Sequence, residues 1–139
     1  MRKYLLILFL AFAAAGASAA QIDTVAVFSA KMQREIPVLV VVPDAGVGRR
    51  MPVLYLLHGF GGSYTTWQNI TDLRPLADAC GMIVVCPDGA NSWYWDSPLD
   101  PASQFETFVA QELPDWIDAR YLTIPSREGR AVTGLSMGG

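Results

Sequence analysis

The chain of 139 residues has few side chains that bind metals: one histidine, His58, and two cysteines, Cys80 and Cys86. A zinc site made of protein ligands needs three or four such groups, so we expect no metal. The segment "MIVVC" (82–86), which ends at the second cysteine, has the pattern of a buried strand. Five extended residues span about 16 Å, whereas a disulfide needs Cα atoms within about 7 Å. The spacing therefore predicts two buried free thiols.

Positive charge is also scarce, with 10 Lys and Arg against 13 Asp and Glu. Without residues 1–20, which contain two of the basic residues, the balance becomes 8 − 13 = −5. An acidic chain without a basic cluster argues against nucleic acid or an anionic lipid surface as a partner. The sequence has no G-K-[ST] motif, which argues against a phosphate-binding loop, and we expect no cofactor.

The first twenty residues differ in composition from the rest of the chain. They combine a charged start, Arg2 and Lys3, with an apolar run from Tyr4 to Ala15 and the small-residue pattern Ala17-Ser18-Ala19. This is the layout of a cleaved secretory signal peptide. A membrane anchor is the alternative, but the run is shorter than the roughly 20 residues that span a bilayer. We therefore predict a signal peptide at 1–20 and a secreted or periplasmic mature chain, 21–139, without stable membrane insertion.

Five short segments rich in β-branched and apolar residues predict strands. They are residues 22–30, 36–42, 52–57, 82–86 and 130–134. Residues 43–50 predict a turn, and residues 72–79 predict a short helix that Gly81 closes. Buried strands that alternate with helices indicate an α/β fold, with a mostly parallel sheet and helices on both faces.

A loop and a longer helix are predicted between the last two strands. Residues 87–103 contain three prolines and three large aromatic residues. Ser103 and Glu106 then have the spacing of a capping box at the start of a helix. The helix carries an apolar stripe made of Phe105, Phe108, Val109, Leu113, Trp116 and Ile117. Pro114 within this stripe predicts a kink or a break.

Two glycine-rich motifs directly follow predicted strands. Residues 134–138, "GLSMG", fit the G-x-S-x-G pattern of a nucleophile elbow, in which a sharp turn exposes the serine. The flanking glycines are expected because such a turn brings backbone segments too close for a Cβ. Residues 58–62, "HGFGG", begin 78 residues before Ser136 and fit a loop that donates a backbone N–H to an oxyanion hole. The two motifs in this order predict an acyl-transfer hydrolase.

The segments "LLHGFGGSYTTW", "CPDGANSWYWDSP" and "QELPDWIDARYLTIPSREGRAVTGLSMGG" together resemble the esterase-D-like esterases of the α/β-hydrolase fold. That family includes feruloyl esterases, acetyl-xylan esterases, S-formylglutathione hydrolases and mycolyltransferases. The resemblance, over about residues 36–139, implies that Ser136 is the nucleophile and that the amides of Phe60 and Met137 form the oxyanion hole. The family places its acid and its histidine after the serine. Residues 21–139 are therefore expected to be the N-terminal part of such a domain, truncated after the elbow.

Other residues could take part in catalysis. His58 is an alternative general base, but its counterpart in the family is not the base, which favours a structural role in the loop. Asp88, Asp96 and Asp100 are alternative acids, although capping turns or lining a cleft is the favoured role for carboxylates on a loop.

Aromatic residues near the motifs are candidates for substrate binding. Trp93 and Trp95 lie beside Asn91 on the predicted loop, and aromatic faces next to polar groups suit a sugar or a phenolic ring. Covering the core is the competing role for the aromatic residues of this loop. Trp67 follows the first glycine motif, and packing is favoured there over binding.

The sequence as a whole predicts a secreted serine carboxylesterase that hydrolyses acyl esters on carbohydrates or plant-polysaccharide fragments. A mycolyltransferase-type acyltransferase and a non-catalytic carbohydrate-binding member of the family are the alternatives. Residues 21–139 alone are expected to be inactive and prone to aggregate, because the last strand would present an unpaired hydrophobic edge.

Overall fold

The computed structural model describes residues 19–44 and 48–139, so the predicted signal peptide falls outside the described residues except for its last two positions. The strands of this part are β1 (Gln21–Ser29), β2 (Arg34–Val42), β3 (Val53–Leu57), β4 (Ile83–Pro87) and β5 (Arg130–Gly134). The α-helices are α1 (Thr66–Ile70), α2 (Arg74–Cys80), α3 (Phe105–Thr107) and α4 (Leu113–Arg120). Every predicted strand is confirmed to within two residues. Helix α1 was not predicted, because it buries none of its residues and has no apolar stripe.

The five strands form one sheet in the order β1-β2-β4-β3-β5. β1 pairs antiparallel with β2, and β2 with β4, while β3 is parallel to both β4 and β5. The α/β class is confirmed, but the described sheet is mixed rather than mostly parallel, because the opening hairpin adds two antiparallel pairings. The parallel strands β4, β3 and β5 end at one edge of the sheet, where α/β folds bind their ligands.

Helices cover both faces of this sheet, as predicted. On one face, valines of β2, β3 and β4 pack against the continuous helical segment 105–120, here called the long helix. Its four buried side chains in this core are Phe105, Phe108, Leu113 and Ile117. On the other face, Leu39, Val41 and Val84 pack against Leu73 and Ala77 at α2. Successive residues of β2 therefore contact opposite cores, which is why its sequence is a continuous apolar run.

Pro114 changes the helix without ending it. Between α3 and α4, residues Phe108–Glu112 form a π-helical turn, in which the Leu113 N–H donates to the Phe108 carbonyl five residues back. Proline has no N–H for the α-helical bond to the residue four positions back, and the wider turn accommodates that gap. The predicted kink or break is thus present as a π-helical turn.

The predicted capping box is wrong. The helix begins at Phe105, and its N-cap residue Gln104 makes no side-chain cap. The loop aspartate Asp96 takes that role instead, because its carboxylate accepts the Thr107 N–H at 3.0 Å and the Thr107 hydroxyl at 2.5 Å. The acceptor for the first helical turn is thus Asp96, 11 positions before Thr107, rather than the nearby serine Ser103.

Both cysteines are free, as predicted, but only Cys86 is buried. Burial raises the pKa of the Cys86 thiol to about 12. The expectation that Cys80 is also buried is wrong, because α2 buries only Ala77 and its last turn remains exposed. Gly81 closes this helix with a left-handed φ of 61°, as the sequence predicted. Within residues 19–44 and 48–139, no helix has both the length and the apolar content to cross a bilayer.

Candidate active site

β5 leads directly into a strained turn that carries Ser136. The strand ends at Gly134, Leu135 is extended, and Ser136 adopts a left-handed φ of 54°. The Gly138 N–H donates to the Leu135 carbonyl at 2.9 Å and closes the turn. A left-handed backbone costs a residue with a side chain about 1–3 kcal/mol, and such strain is concentrated at functional sites. The side chain of Ser136 is exposed at the edge where the parallel strands end.

The two glycines of the motif allow the turn to contact β3 closely. A Cβ at Gly134 would lie 2.3 Å from the Gly138 carbonyl oxygen and 2.7 Å from that of Leu57. A Cβ at Gly138 would lie 2.7 Å from the Leu57 Cβ and 2.8 Å from the His58 carbonyl oxygen. Most of these neighbours are backbone atoms, which cannot rotate away. The predicted need for glycine at both positions is confirmed.

The loop of residues 58–62, here called the oxyanion loop, lies against this turn. β3 and β5 are neighbouring parallel strands, and their last residues, Leu57 and Gly134, are paired. The segments that follow these strands therefore begin side by side at the same end of the sheet. A Cβ at Gly59 would lie 3.2 Å from the Leu135 carbonyl oxygen and 3.6 Å from the Ser136 Cβ. The structure therefore brings together the two motifs that the sequence separates by 78 residues.

Some backbone N–H groups of this region have a hydrogen-bond acceptor in the described part of the chain, and others have none. Three donate within the loop or to its neighbours: His58 N–H to the Tyr94 hydroxyl at 3.0 Å, Gly61 N–H to Asn91 Oδ1 at 2.8 Å, and Gly62 N–H to the Gly59 carbonyl at 3.0 Å. The amides of Gly59, Phe60 and Met137 donate to no acceptor among the described residues. Open amides beside a serine can hold a developing oxyanion, so Phe60 and Met137 remain available for the role that the resemblance implies.

His58 uses both of its ring nitrogens in structural contacts. Nδ1 lies 2.7 Å from the Gly59 carbonyl oxygen, and Nε2 lies 2.9 Å from the Gly89 nitrogen. Because the Gly89 amide can only donate, Nε2 accepts, and the ring proton is on Nδ1, which donates to Gly59. The side chain is 1% exposed. This geometry favours the structural role of His58 and leaves the general-base alternative without support.

The segment 88–95 directly follows β4 and contacts the oxyanion loop, which follows the neighbouring strand β3. Three of its non-glycine residues are left-handed: Ala90 (φ 47°), Trp93 (φ 57°) and Tyr94 (φ 52°). The Ser92 hydroxyl donates to the Gly89 carbonyl at 2.6 Å and accepts the Tyr94 N–H at 3.1 Å. The Tyr94 ring fills the space beside Gly89, where a Cβ would lie 2.2 Å from the ring. Burial raises the pKa of the Tyr94 hydroxyl well above its usual range, so this group remains protonated.

The predicted binding aromatics occupy different environments. Trp67 packs against the core on the α2 face, and its indole N–H donates to the Leu57 carbonyl at 3.1 Å, so it supports β3. Trp93 is 62% exposed, and its ring centroid lies 6.3 Å from that of Phe60 in the oxyanion loop. Trp95 is also exposed. Trp93 and Trp95 are therefore accessible to a substrate, whereas Trp67 has the packing role that the sequence favoured.

The three loop carboxylates cap local structure, which is the favoured prediction for them. Asp88 accepts the Ala90 N–H at 2.8 Å, and Asp100 accepts the Ala102 N–H at 2.9 Å. Asp96 caps the long helix, as described above. Burial raises its pKa, but the bonds from Thr107, together with the Glu106 N–H and the charge of Lys31, hold the pKa below its usual range. All three carboxylates have hydrogen bonds that hold turns, and this favours a structural role for each.

Two depressions lie on the described surface. One of about 290 Å³ is lined by residues that include Arg34, Asn91, Ser92, Asp100 and Ser103. A larger one of about 330 Å³ runs along β5 between Val109, Arg130 and Val132 and includes none of the predicted site residues. The first is the better candidate for a substrate cleft because its lining residue Asn91 contacts the oxyanion loop, accepting the Gly61 N–H at 2.8 Å. Across residues 19–44 and 48–139, no group of His, Cys, Asp and Glu side chains is placed to hold a metal ion.

Comparison with known proteins gives relatives that include esterases and an acyltransferase. Esterase Rv1288 of Mycobacterium tuberculosis is 37% identical over 97 residues, which cover 66% of this chain and 21% of the relative. Diacylglycerol acyltransferase/mycolyltransferase Ag85A of Mycobacterium bovis is 34% identical over 100 residues, covering 65% of this chain and 29% of the relative. A solved ferulic acid esterase is 30% identical with a TM-score of 0.74, over 86% of this chain and 49% of that one. The chain thus spans less than half the length of each of these relatives.

A family model described as "Putative esterase" matches residues 29–139, which include the oxyanion loop and the Ser136 turn. The match extends over most of the described residues and confirms the resemblance found in the sequence. The ferulic acid esterase supports the same assignment at the level of the fold, since its TM-score to this chain is 0.74. The chain belongs to this esterase family.

Proposed function

We propose that the chain is the N-terminal part of a secreted serine carboxylesterase that works through an acyl-enzyme on Ser136. The observation that carries the proposal is the contact between the strained Ser136 turn and the oxyanion loop. Two open amides, those of Phe60 and Met137, lie on the two segments that meet there. Membership of the esterase family supports the same reaction class.

In the proposed reaction, Ser136 Oγ attacks the ester carbonyl carbon while a general base takes the hydroxyl proton. The carbonyl oxygen becomes an oxyanion, and the amides of Phe60 and Met137 donate to it. Collapse of the tetrahedral intermediate breaks the bond to the alcohol, which leaves with the proton. Water then attacks the acyl-enzyme by the same route, so the acid is released and Ser136 regains its proton.

The general base and its acid partner are proposed to come from sequence beyond Gly139. His58 is the single histidine of the 139 residues, and both of its ring nitrogens are engaged in a buried site. The loop carboxylates Asp88, Asp96 and Asp100 cap turns or the helix. The short span of this chain relative to its relatives is consistent with a catalytic histidine elsewhere in a longer protein.

The proposed substrates are acyl esters of carbohydrates or plant-polysaccharide fragments. Exposed Trp93 and Trp95 offer aromatic faces, and the neighbouring cleft of about 290 Å³ adds hydroxyl, amide and charged groups. The ferulic acid esterase among the similar structures supports a phenolic acyl group. Secretion rests on the signal-peptide pattern of residues 1–20. A mycolyltransferase-type acyltransferase is the second candidate, and the similarity to Ag85A favours it.

The test uses the protein translated from its full reading frame, including whatever follows Gly139. Ser136→Ala should lower hydrolysis of 4-nitrophenyl acetate by at least about 10³-fold, as loss of a serine nucleophile does elsewhere. A fluorophosphonate should add to Ser136 in the parent protein, which peptide mass spectrometry detects. Ser126→Ala is the matched control, because this serine precedes β5 at the opposite edge of the sheet.

Four results would contradict the proposal or redirect it. Full activity in Ser136→Ala would exclude the acyl-enzyme. Activity of purified residues 21–139 that Ser136→Ala abolishes would show that no residue beyond Gly139 is needed. Acyl transfer to an added sugar in preference to water would favour the acyltransferase. Carbohydrate binding without any hydrolysis would identify a binding protein.

A further inference from the structure

We propose that the 88–95 segment is a positioning device for the oxyanion loop, and that Asn91 and Tyr94 are its two contact residues. Through them, the segment fixes the peptide groups on either side of the Phe60 amide. The inference rests on the proposed function, because the amide that it positions is a proposed oxyanion donor. It assigns Asn91 a role in holding the loop, where the sequence suggested contact with substrate.

Tyr94 holds the first residue of the oxyanion loop by both of its backbone groups. Its hydroxyl accepts the His58 N–H at 3.0 Å and donates to the His58 carbonyl at 3.2 Å. The Gly89 amide, from the same segment, also donates to the His58 ring. Both the backbone and the side chain of His58 are therefore tied to the 88–95 segment.

Asn91 holds the other side of Phe60. Its Oδ1 accepts the Gly61 N–H at 2.8 Å. This N–H belongs to the peptide group that joins Phe60 to Gly61, so the bond fixes the plane of that group. With His58 and Gly61 both held, the direction of the Phe60 N–H between them is restricted, as a preorganised oxyanion hole requires.

The backbone of the segment indicates that its shape has a function. Left-handed φ values at Ala90, Trp93 and Tyr94 are unfavourable for residues with side chains, and they occur within five positions. The strained conformation places the Tyr94 hydroxyl at His58 and the Trp93 ring 6.3 Å from the Phe60 ring. A loop that only connected β4 to α3 would not need these conformations.

The test compares Tyr94→Phe and Asn91→Leu in the protein from the full reading frame. Tyr94→Phe removes only the hydroxyl, and Asn91→Leu keeps the branched shape without the amide oxygen, so both changes remove the contact with the oxyanion loop. We expect kcat per fluorophosphonate-titrated site to fall roughly 10–100-fold, since small misplacements of catalytic groups have effects of this order. KM should change less than about twofold, and binding of a trifluoromethyl ketone should weaken by the same factor as kcat/KM. Because kcat is calculated per fluorophosphonate-titrated site, unfolded protein does not lower the measured value.

Tyr121→Phe is the matched control, because this tyrosine is also partly buried and its hydroxyl lies 3.4 Å from Asp23 Oδ2, away from the oxyanion loop. It should leave kcat unchanged. Wild-type kcat in both test variants would overturn the proposal. A raised KM with unchanged kcat in Asn91→Leu would also overturn it and return Asn91 to substrate binding.

A second readout needs no activity and separates this proposal from the proposed function. Amide hydrogen exchange at residues 58–62 should be faster in Tyr94→Phe and Asn91→Leu than in Tyr121→Phe. If the parent protein has no Ser136-dependent hydrolysis, the proposed function fails, and exchange still reports whether the segment holds the loop. Unchanged exchange in both variants would contradict the positioning role.

Discussion

Replacement of His58 by leucine is the perturbation that most directly tests the structural role of this histidine. Leucine fills a similar volume but has no polar atom. The change would leave the buried Gly89 N–H without its acceptor, the ring Nε2 at 2.9 Å. The Gly59 carbonyl would lose the Nδ1 donor at 2.7 Å but keep the Gly62 N–H at 3.0 Å. An unsatisfied buried polar group costs about 1–3 kcal/mol and a lost hydrogen bond about 0.5–1.5 kcal/mol, so the free energy of unfolding should fall by about 1.5–4.5 kcal/mol. Domains are stable by only about 5–15 kcal/mol, so the loss would be large.

Urea denaturation of the protein from the full reading frame measures this change. His58→Gln is the matched variant, because its amide keeps one donor and one acceptor, and it should recover part of the lost free energy. The reasoning would be refuted if His58→Leu lost less than about 1 kcal/mol of stability and its kcat fell as far as that of Ser136→Ala. That combination would indicate that the ring acts in proton transfer rather than in holding the loop.

Further predictions concern the exposed edge of the sheet and the start of the chain. Val132 on β5 and Ile70 on α1 are each 65% exposed, but only Val132 lies on an unpaired strand edge. In residues 21–139, Val132→Lys should lower light scattering on concentration, whereas Ile70→Lys should not. Asp78 accepts the amides of Ala20 at 3.1 Å and Asp44 at 2.9 Å, so Asp78→Asn should lower the free energy of unfolding by about 1–2 kcal/mol. Unchanged urea midpoints would contradict this. Signal cleavage after Ala20, as the sequence predicts, would remove the Ala20 bond and reduce the effect, and intact mass identifies that terminus.

The sequence was most informative where a local pattern determines the structure. Continuous runs of β-branched residues identified β2 and β4, because both faces of these strands are buried. Gly81 identified the end of α2, because that position needs a left-handed backbone. The Ser136 turn was predictable for the same reason, since two glycines mark the places where the backbone segments meet.

The contacts that hold the oxyanion loop could not be predicted in this way. Tyr94 meets His58 across 36 positions of sequence, and no spacing rule links a tyrosine to a distant backbone group. Asp96 replaced the predicted capping serine, Ser103, because its carboxylate, from earlier in the same loop, reaches Thr107 across 11 positions. Both contacts depend on how the folded chain brings these segments together, which the sequence does not show. The sequence alone therefore did not distinguish Tyr94 from its neighbours Trp93 and Trp95.

The strand order also has a consequence for how the protein is made. Gly134 pairs with Leu57, which emerges from the ribosome 77 residues earlier (134 − 57). Until β5 arrives, β3 is paired only with β4, and its other edge is open. The oxyanion loop can therefore fold early, whereas the serine joins it in a late, long-range step, of the kind that is slow because the intervening loop must first close. A nascent chain that stops short of Arg130 would thus have the oxyanion loop with its Phe60 amide, but neither Ser136, the proposed nucleophile, nor the Met137 amide. Translation would therefore separate the assembly of the two parts of the proposed site in time.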